Sequence, residues 1–172
     1  MAKRREYKFT NAINRVGDDV NSILNKRQST RYFEAIVVIY SLVENVLKWL
    51  VYLKIVWDKC DRVLPNDELN ALKQFCNQQD FYSAQNLALV TGLIDRKLFK
   101  QIDKVRRERN DILHQCYLFT HRKNRRTLRA KLEKLAKLAD RLIGTLNKLV
   151  EETSADDSYD IFMVRRGKQM LT

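Results

Sequence analysis

Turn-forming residues are nearly absent from this chain, which has four Gly and one Pro in 172 residues. A many-stranded fold needs frequent turns, so this scarcity excludes a sandwich or a barrel and favours long helices. Cysteine is equally sparse. Cys60, Cys76 and Cys116 are odd in number, widely spaced and without a CxxC pair. That pattern indicates neither a disulfide framework nor a zinc ribbon, and it reads as reduced thiols in a cytoplasmic protein. Only two histidines are present, His114 and His121. Together with Cys116 they lack the fourth ligand and the spacing of a metal site. Asp103 and Asp111 are not paired with further oxygen ligands, so neither a metal nor a cofactor is expected. The first residues, Met1 to Glu6, are charged and are not followed by the apolar run of a signal peptide.

Basic residues are what the chain has in excess. Lys and Arg number 33 against 21 Asp and Glu, a formal charge of +12. Such a surplus favours a polyanionic partner, either nucleic acid or an anionic membrane surface, and charge alone does not choose between them. The length suits one domain with a single substantial core. One stretch, residues 35–57, is rich in Ile, Val, Leu and Trp and resembles a membrane span, but it carries Glu44, Asn45 and Lys48 near its middle. Each mid-span charge costs about 2.5–3.5 kcal/mol on insertion, so a buried core helix is the better reading and no membrane is expected.

Five or six helices with short connections follow from the apolar periodicity. Phe9, Ile13, Val16, Val20 and Ile23 or Leu24 recur at helical spacing over about residues 5–25, interrupted by Gly17. Ser29-Thr30 is read as the N-cap of the long apolar helix, which ends within 58–64, before Pro65. Pro65 with Asp67 and Glu68 reads as a helix start running through Leu69, Leu72, Phe75 and Cys76. Asp80 and Ser83 introduce a short helix stopped by Thr91-Gly92, and Asp95 opens another from about Arg96 to Tyr117 or Phe119. In the last helix Leu128, Leu132, Leu135, Ala139, Leu142, Leu146 and Leu149 repeat in 4-3-4-3 steps. That seam fits one neighbouring helix, within the bundle or across a dimer. The domain is therefore residues 1–152 with its core at about 30–150. Residues 153–172 form a tail expected to be mobile.

The helix after Asp95 carries an anomaly. At 100° per residue Leu98, Ile102, Val105, Ile112, Cys116 and Phe119 form one stripe, and Arg109 fills the slot in its middle. A cation in an apolar stripe needs a partner or a polyanion. Glu44, the lone acid of the 35–57 helix, is the expected partner. His114 lies about 140° away around the helix, with Asp103, Arg107 and Asn110 on its side. Asn110 is one turn before the imidazole and suited to setting its tautomer. A site joining Arg109 to His114 therefore requires a bend near Asp111 or a contribution from a second protomer.

The segment Arg109-Asn110-Asp111-Ile112-Leu113-His114 resembles the Rx4–6H motif of HEPN domains, and the helices around it fit that family over about residues 30–150. The resemblance implies an all-α, four- to six-helix up-down bundle. It also implies a homodimer in which the motifs of both copies line a basic cleft, and the chemistry of a metal-independent endoribonuclease, often a toxin or antiviral effector held by an antitoxin or other regulatory protein. Carried onto this sequence, Arg109 contacts the scissile phosphate and Asn110 holds the local geometry. His114 serves as general acid or base, or positions the attacking 2′-hydroxyl, and Glu44, Asp111 and Tyr117 support them. RNA supplies its own nucleophile, so a proton carrier and a fixed guanidinium are the groups that such cleavage needs. Arg106, Arg107, Arg122, Lys123, Arg125 and Arg126 are the expected RNA-backbone contacts, which position a substrate without specifying its sequence. One departure stands out. Toxins of the family paired with a nucleotidyltransferase commonly carry a tyrosine two residues after the motif histidine, a place held here by Cys116, with Tyr117 one later.

Bland readings accompany these assignments. Arg109 also fits a purely structural salt bridge, His114 an ordinary histidine near a helix end, and the 122–129 cluster a solvated face. Tyr117 and Phe119 suit either base stacking or core packing. The alternative to an enzyme is a non-catalytic HEPN-like helical module that binds RNA, nucleotide or a protein partner. A weaker one is an assembly subunit using the leucine seam.

Overall fold

A computed structural model of the chain describes residues 2–58, 64–114 and 125–154. Among these there are six α-helices, one 3-10 turn and no strand. The helices are α1 (Ala2–Asn25), α2 (Tyr32–Asp58), α3 (Asn66–Gln78), α4 (Phe81–Val90), α5 (Arg96–His114) and α6 (Arg125–Ser154), with the turn at Ser29–Arg31. The architecture is an all-α bundle, as the shortage of Gly and Pro requires.

Helix α2 is the axis on which the others assemble. Its buried side chains, among them Ile36, Ile39, Val43, Leu47, Leu50 and Leu53, cover a broad face of the helix, while Glu34, Val38, Ser41 and Asn45 stay exposed on the opposite side. An apolar face that broad needs more than one neighbour. α6 supplies the broadest cover, and α1, α3, α4 and α5 pack against the rest of that face. α2 is long and apolar enough to cross a bilayer, and 61% of its apolar window is buried inside the bundle. Every leucine of the α6 seam is buried, with Leu132 and Leu142 at 0% exposure. The seam's neighbour is α2, so its 4-3-4-3 pattern is satisfied within the chain.

Local chemistry sets the helix boundaries near the site. Asp80 caps α4, its Oδ1 accepting from the Ser83 amide at 2.7 Å. The hydrogen bond to the Ser83 amide is the main influence holding its carboxyl below the usual range. Asp95 does the same for α5, accepting from the Leu98 amide at 2.6 Å. Between them Gly92 adopts φ +73°. The amides of Gly92 and Leu93 donate to the Leu89 and Ala88 carbonyls at 3.1 and 3.0 Å, closing α4 with a left-handed residue that favours glycine. Gln85, fully buried, donates from Nε2 to the Phe99 carbonyl at 3.0 Å and ties α4 to α5.

Three boundaries differ from the sequence reading. α1 starts at Ala2, three residues before the expected start. Ser29-Thr30 do not cap α2; Ser29–Arg31 form a 3-10 turn that runs directly into it. α6 continues to Ser154, two residues beyond the expected domain edge. The remaining tail lies outside the described residues.

Candidate functional site

The site is built where α5 crosses α2. Leu98 and Ile102 anchor the apolar stripe of α5 at 4% and 0% exposure, and Val105 packs half-buried against the same core. Arg109, next on the stripe, is thereby drawn to the edge of the core. Its Nη1 lies 3.5 Å from Glu44 Oε2, and its side chain retains 32% exposure. The expected pairing of Glu44 with Arg109 is present. It is not exclusive, because Lys48, one turn along α2, places Nζ 2.9 Å from Glu44 Oε1. Lys48 also donates to the Asn77 carbonyl near the end of α3, at 3.4 Å. One carboxylate thus gathers two cations from two helices.

Tyr40 stands one turn before Glu44 on α2 and is 1% exposed. Its hydroxyl is buried without a hydrogen-bond partner among the described residues. Burial pushes that hydroxyl far above the usual tyrosine range. Glu108 adds to the effect, Arg109 opposes it and Asp111 adds a little more.

A second cluster lies one turn earlier on α5. Asp103 holds two arginines, with Arg106 Nη2 2.9 Å from Oδ1 and Arg107 Nη2 2.9 Å from Oδ2. The hydrogen bond from Arg106 comes first, and the nearby positive charge of Arg107 adds to it, in holding this carboxyl below its usual range. The Arg106 guanidinium also sits 5.0 Å from the centre of the Tyr82 ring. Arg107 stays 73% exposed on the side chain.

Of the other expected site residues, Asn110, Asp111 and Arg126 are exposed. No hydrogen bond or ion pair joins Arg126 to α5 among the described residues. α5 is unbroken through His114, so positions 109 and 114 stay about 140° apart around an ideal helix. The side chains of His114 and Arg125, and all of Tyr117, Arg122 and Lys123, lie outside the described residues. Among those described, no three His, Cys, Asp or Glu side chains gather into a metal-binding group.

Sequence reasoning overlooked Lys48, Tyr40 and Tyr82 as members of this region. The Glu44–Lys48 spacing of four was a readable signal for a same-helix pair. Nothing in the linear pattern tied Tyr82 to Arg106, because that contact depends on how α4 turns back at Gly92. No family model, no curated protein and no solved structure matches the chain.

Proposed function

We propose that this chain is an endoribonuclease of HEPN type that cuts RNA without a metal, by attack of the 2′-hydroxyl, in a toxin or antiviral setting. The observation that carries the reading is the placement of Arg109. It is anchored by Glu44 from a neighbouring helix, still one-third exposed, and followed at once by the exposed Asn110. A guanidinium held this way is preorganised for a phosphate, since its position is fixed before substrate arrives.

In the proposed reaction the 2′-oxygen bonds to phosphorus while the bond to the 5′-oxygen breaks. The 2′-hydroxyl proton leaves to a base and the departing 5′-oxygen takes one up. His114 is the residue type able to carry that proton near neutral pH. Arg109 stabilises the charge that develops on the phosphorane. The products are a 2′,3′-cyclic phosphate and a 5′-hydroxyl. Because His114 lies around the helix from Arg109, the site is completed by the motif of a second copy in a homodimer.

The test is incubation of purified protein with RNA in EDTA, with cyclic-phosphate ends as the readout. Wild type is expected to cut, and His114→Ala is expected to lose cutting while keeping its helical circular dichroism. Intact RNA across several substrates would sink the proposal, and a strictly monomeric protein would remove the shared cleft. A second reading, a non-catalytic RNA- or protein-binding module, draws on the same ion pairs. Glu44 and Asp103 between them occupy four cations, as an architectural network would.

A further inference from the structure

We propose that Tyr82, backed by Arg106, is a stacking platform for an unpaired RNA base beside the motif. This rests on the reading that Arg109 holds an RNA phosphate. The platform begins with an unusual exposure. Phe81 and Tyr82 open α4 side by side; Phe81 is sunk in the core at 4% exposure, whereas Tyr82 is 51% exposed. Successive helical positions point about 100° apart, so burying Phe81 turns Tyr82 outward.

The exposed ring is backed rather than loose. The Arg106 guanidinium lies 5.0 Å from its centre. That guanidinium is itself fixed from two nitrogens, Nε at 3.3 Å and Nη2 at 2.9 Å from Asp103 Oδ1. Asp103 is held in turn by Arg107, whose exposed side chain adds a cation at the same rim. A half-exposed tyrosine with a planar cation at hand suits an aromatic base, which stacks on tyrosine and on arginine planes alike.

Position on α5 connects the platform to the motif. Arg106 precedes Arg109 by three residues and Asn110 by four, the two spacings that make helix neighbours. Arg106, against which Tyr82 is set, therefore lies only about 4.5 Å along the helix axis from the residue proposed to hold the phosphate. A base attached to that backbone reaches Tyr82 only if it is unstacked from its neighbours. The surface therefore selects single-stranded or looped RNA over a duplex, whose bases are covered.

The experiment uses the full chain carrying His114→Ala, so that binding is read without cleavage. It is titrated at fixed salt with a labelled single-stranded RNA oligonucleotide and with a duplex of the same sequence. Adding Tyr82→Ala is expected to weaken single-strand binding about 5- to 150-fold, the range of one lost stacking contact. Duplex binding should stay within about twofold, because it draws on backbone charge. Tyr82→Phe should bind the single strand like its parent, since the ring and not the hydroxyl does the stacking. The proposal is overturned by unchanged single-strand binding in Tyr82→Ala, by an equal loss in Tyr82→Phe, by a parallel loss for duplex, or by no binding of RNA at all. Tyr82-dependent binding in a chain whose wild type cuts nothing would keep the platform and remove the nuclease. Cutting with Tyr82-independent binding would do the reverse.

Discussion

Glu44 is shared by two cations from different helices, Lys48 at 2.9 Å on its own helix and Arg109 at 3.5 Å from α5. All three side chains are partly buried, at 20%, 12% and 32% exposure respectively. The carboxylate is therefore the joint of the α2–α5 crossing, and removing it strands two cations rather than one.

Glu44→Gln is accordingly expected to destabilise the fold by about 1–2 kcal/mol, between the value of an exposed ion pair and the cost of breaking a fully buried one. Lys48→Met should cost less, because Glu44 keeps Arg109 and the aliphatic stem is replaced by one of similar shape. Urea unfolding followed by circular dichroism reads both. Equal midpoints for wild type and Glu44→Gln would show that the joint contributes nothing.

Tyr40 offers the opposite case, a buried hydroxyl with no partner among the described residues. Tyr40→Phe removes a polar group that is desolvated without return. It should leave stability unchanged or raise it by up to about 1 kcal/mol. The folded chain holds the phenol proton well above the ordinary value of 10.0. Above about pH 10 the unfolded chain binds fewer protons than the folded one, so stability falls as pH rises from there. Wild type should lose more than Tyr40→Phe on that alkaline limb. A clear loss of stability in Tyr40→Phe at neutral pH would contradict the orphan hydroxyl.

The acid limb depends on Asp80 and Asp103, both lowered from 3.8 in the fold. Their contribution is complete above that unfolded value and is lost as pH falls through the depressed folded values. Asp103→Asn should flatten the acid side of a stability–pH profile. Asp80→Asn should keep the cap of α4, which Asp80→Ala loses, because asparagine caps a helix nearly as well as aspartate. Thermal unfolding over about pH 2–7 tests the pair, and an unchanged acid limb in Asp103→Asn would show that its arginine partners do not matter to folding.

Much of this was legible along the chain. The caps at Asp80 and Asp95 and the stop at Gly92 are local chemistry, and they fall where spacing puts them. Arg109 could be singled out because it breaks an apolar stripe, and Glu44 because it is the lone acid of the apolar 35–57 stretch. Ser29-Thr30 misled, since hydroxyl residues before an apolar run suit a cap and a 3-10 turn equally well. The neighbour of the α6 seam was undetermined for a different reason: a heptad-like stripe states that it needs a partner helix, not which one.

The sequence by itself determined the helices, the apolar faces and the two charges that had to meet, because periodicity, capping and the cost of a lone buried charge act locally or on one face. Only the tertiary structure decided the rest. It brought Lys48 into the Glu44–Arg109 pair, left the Tyr40 hydroxyl sealed without a partner among the described residues, and set Tyr82 against Arg106 beside the motif. Those contacts depend on how α2, α4 and α5 cross, and crossing is fixed by the packing of whole helix surfaces rather than by any one residue's preference.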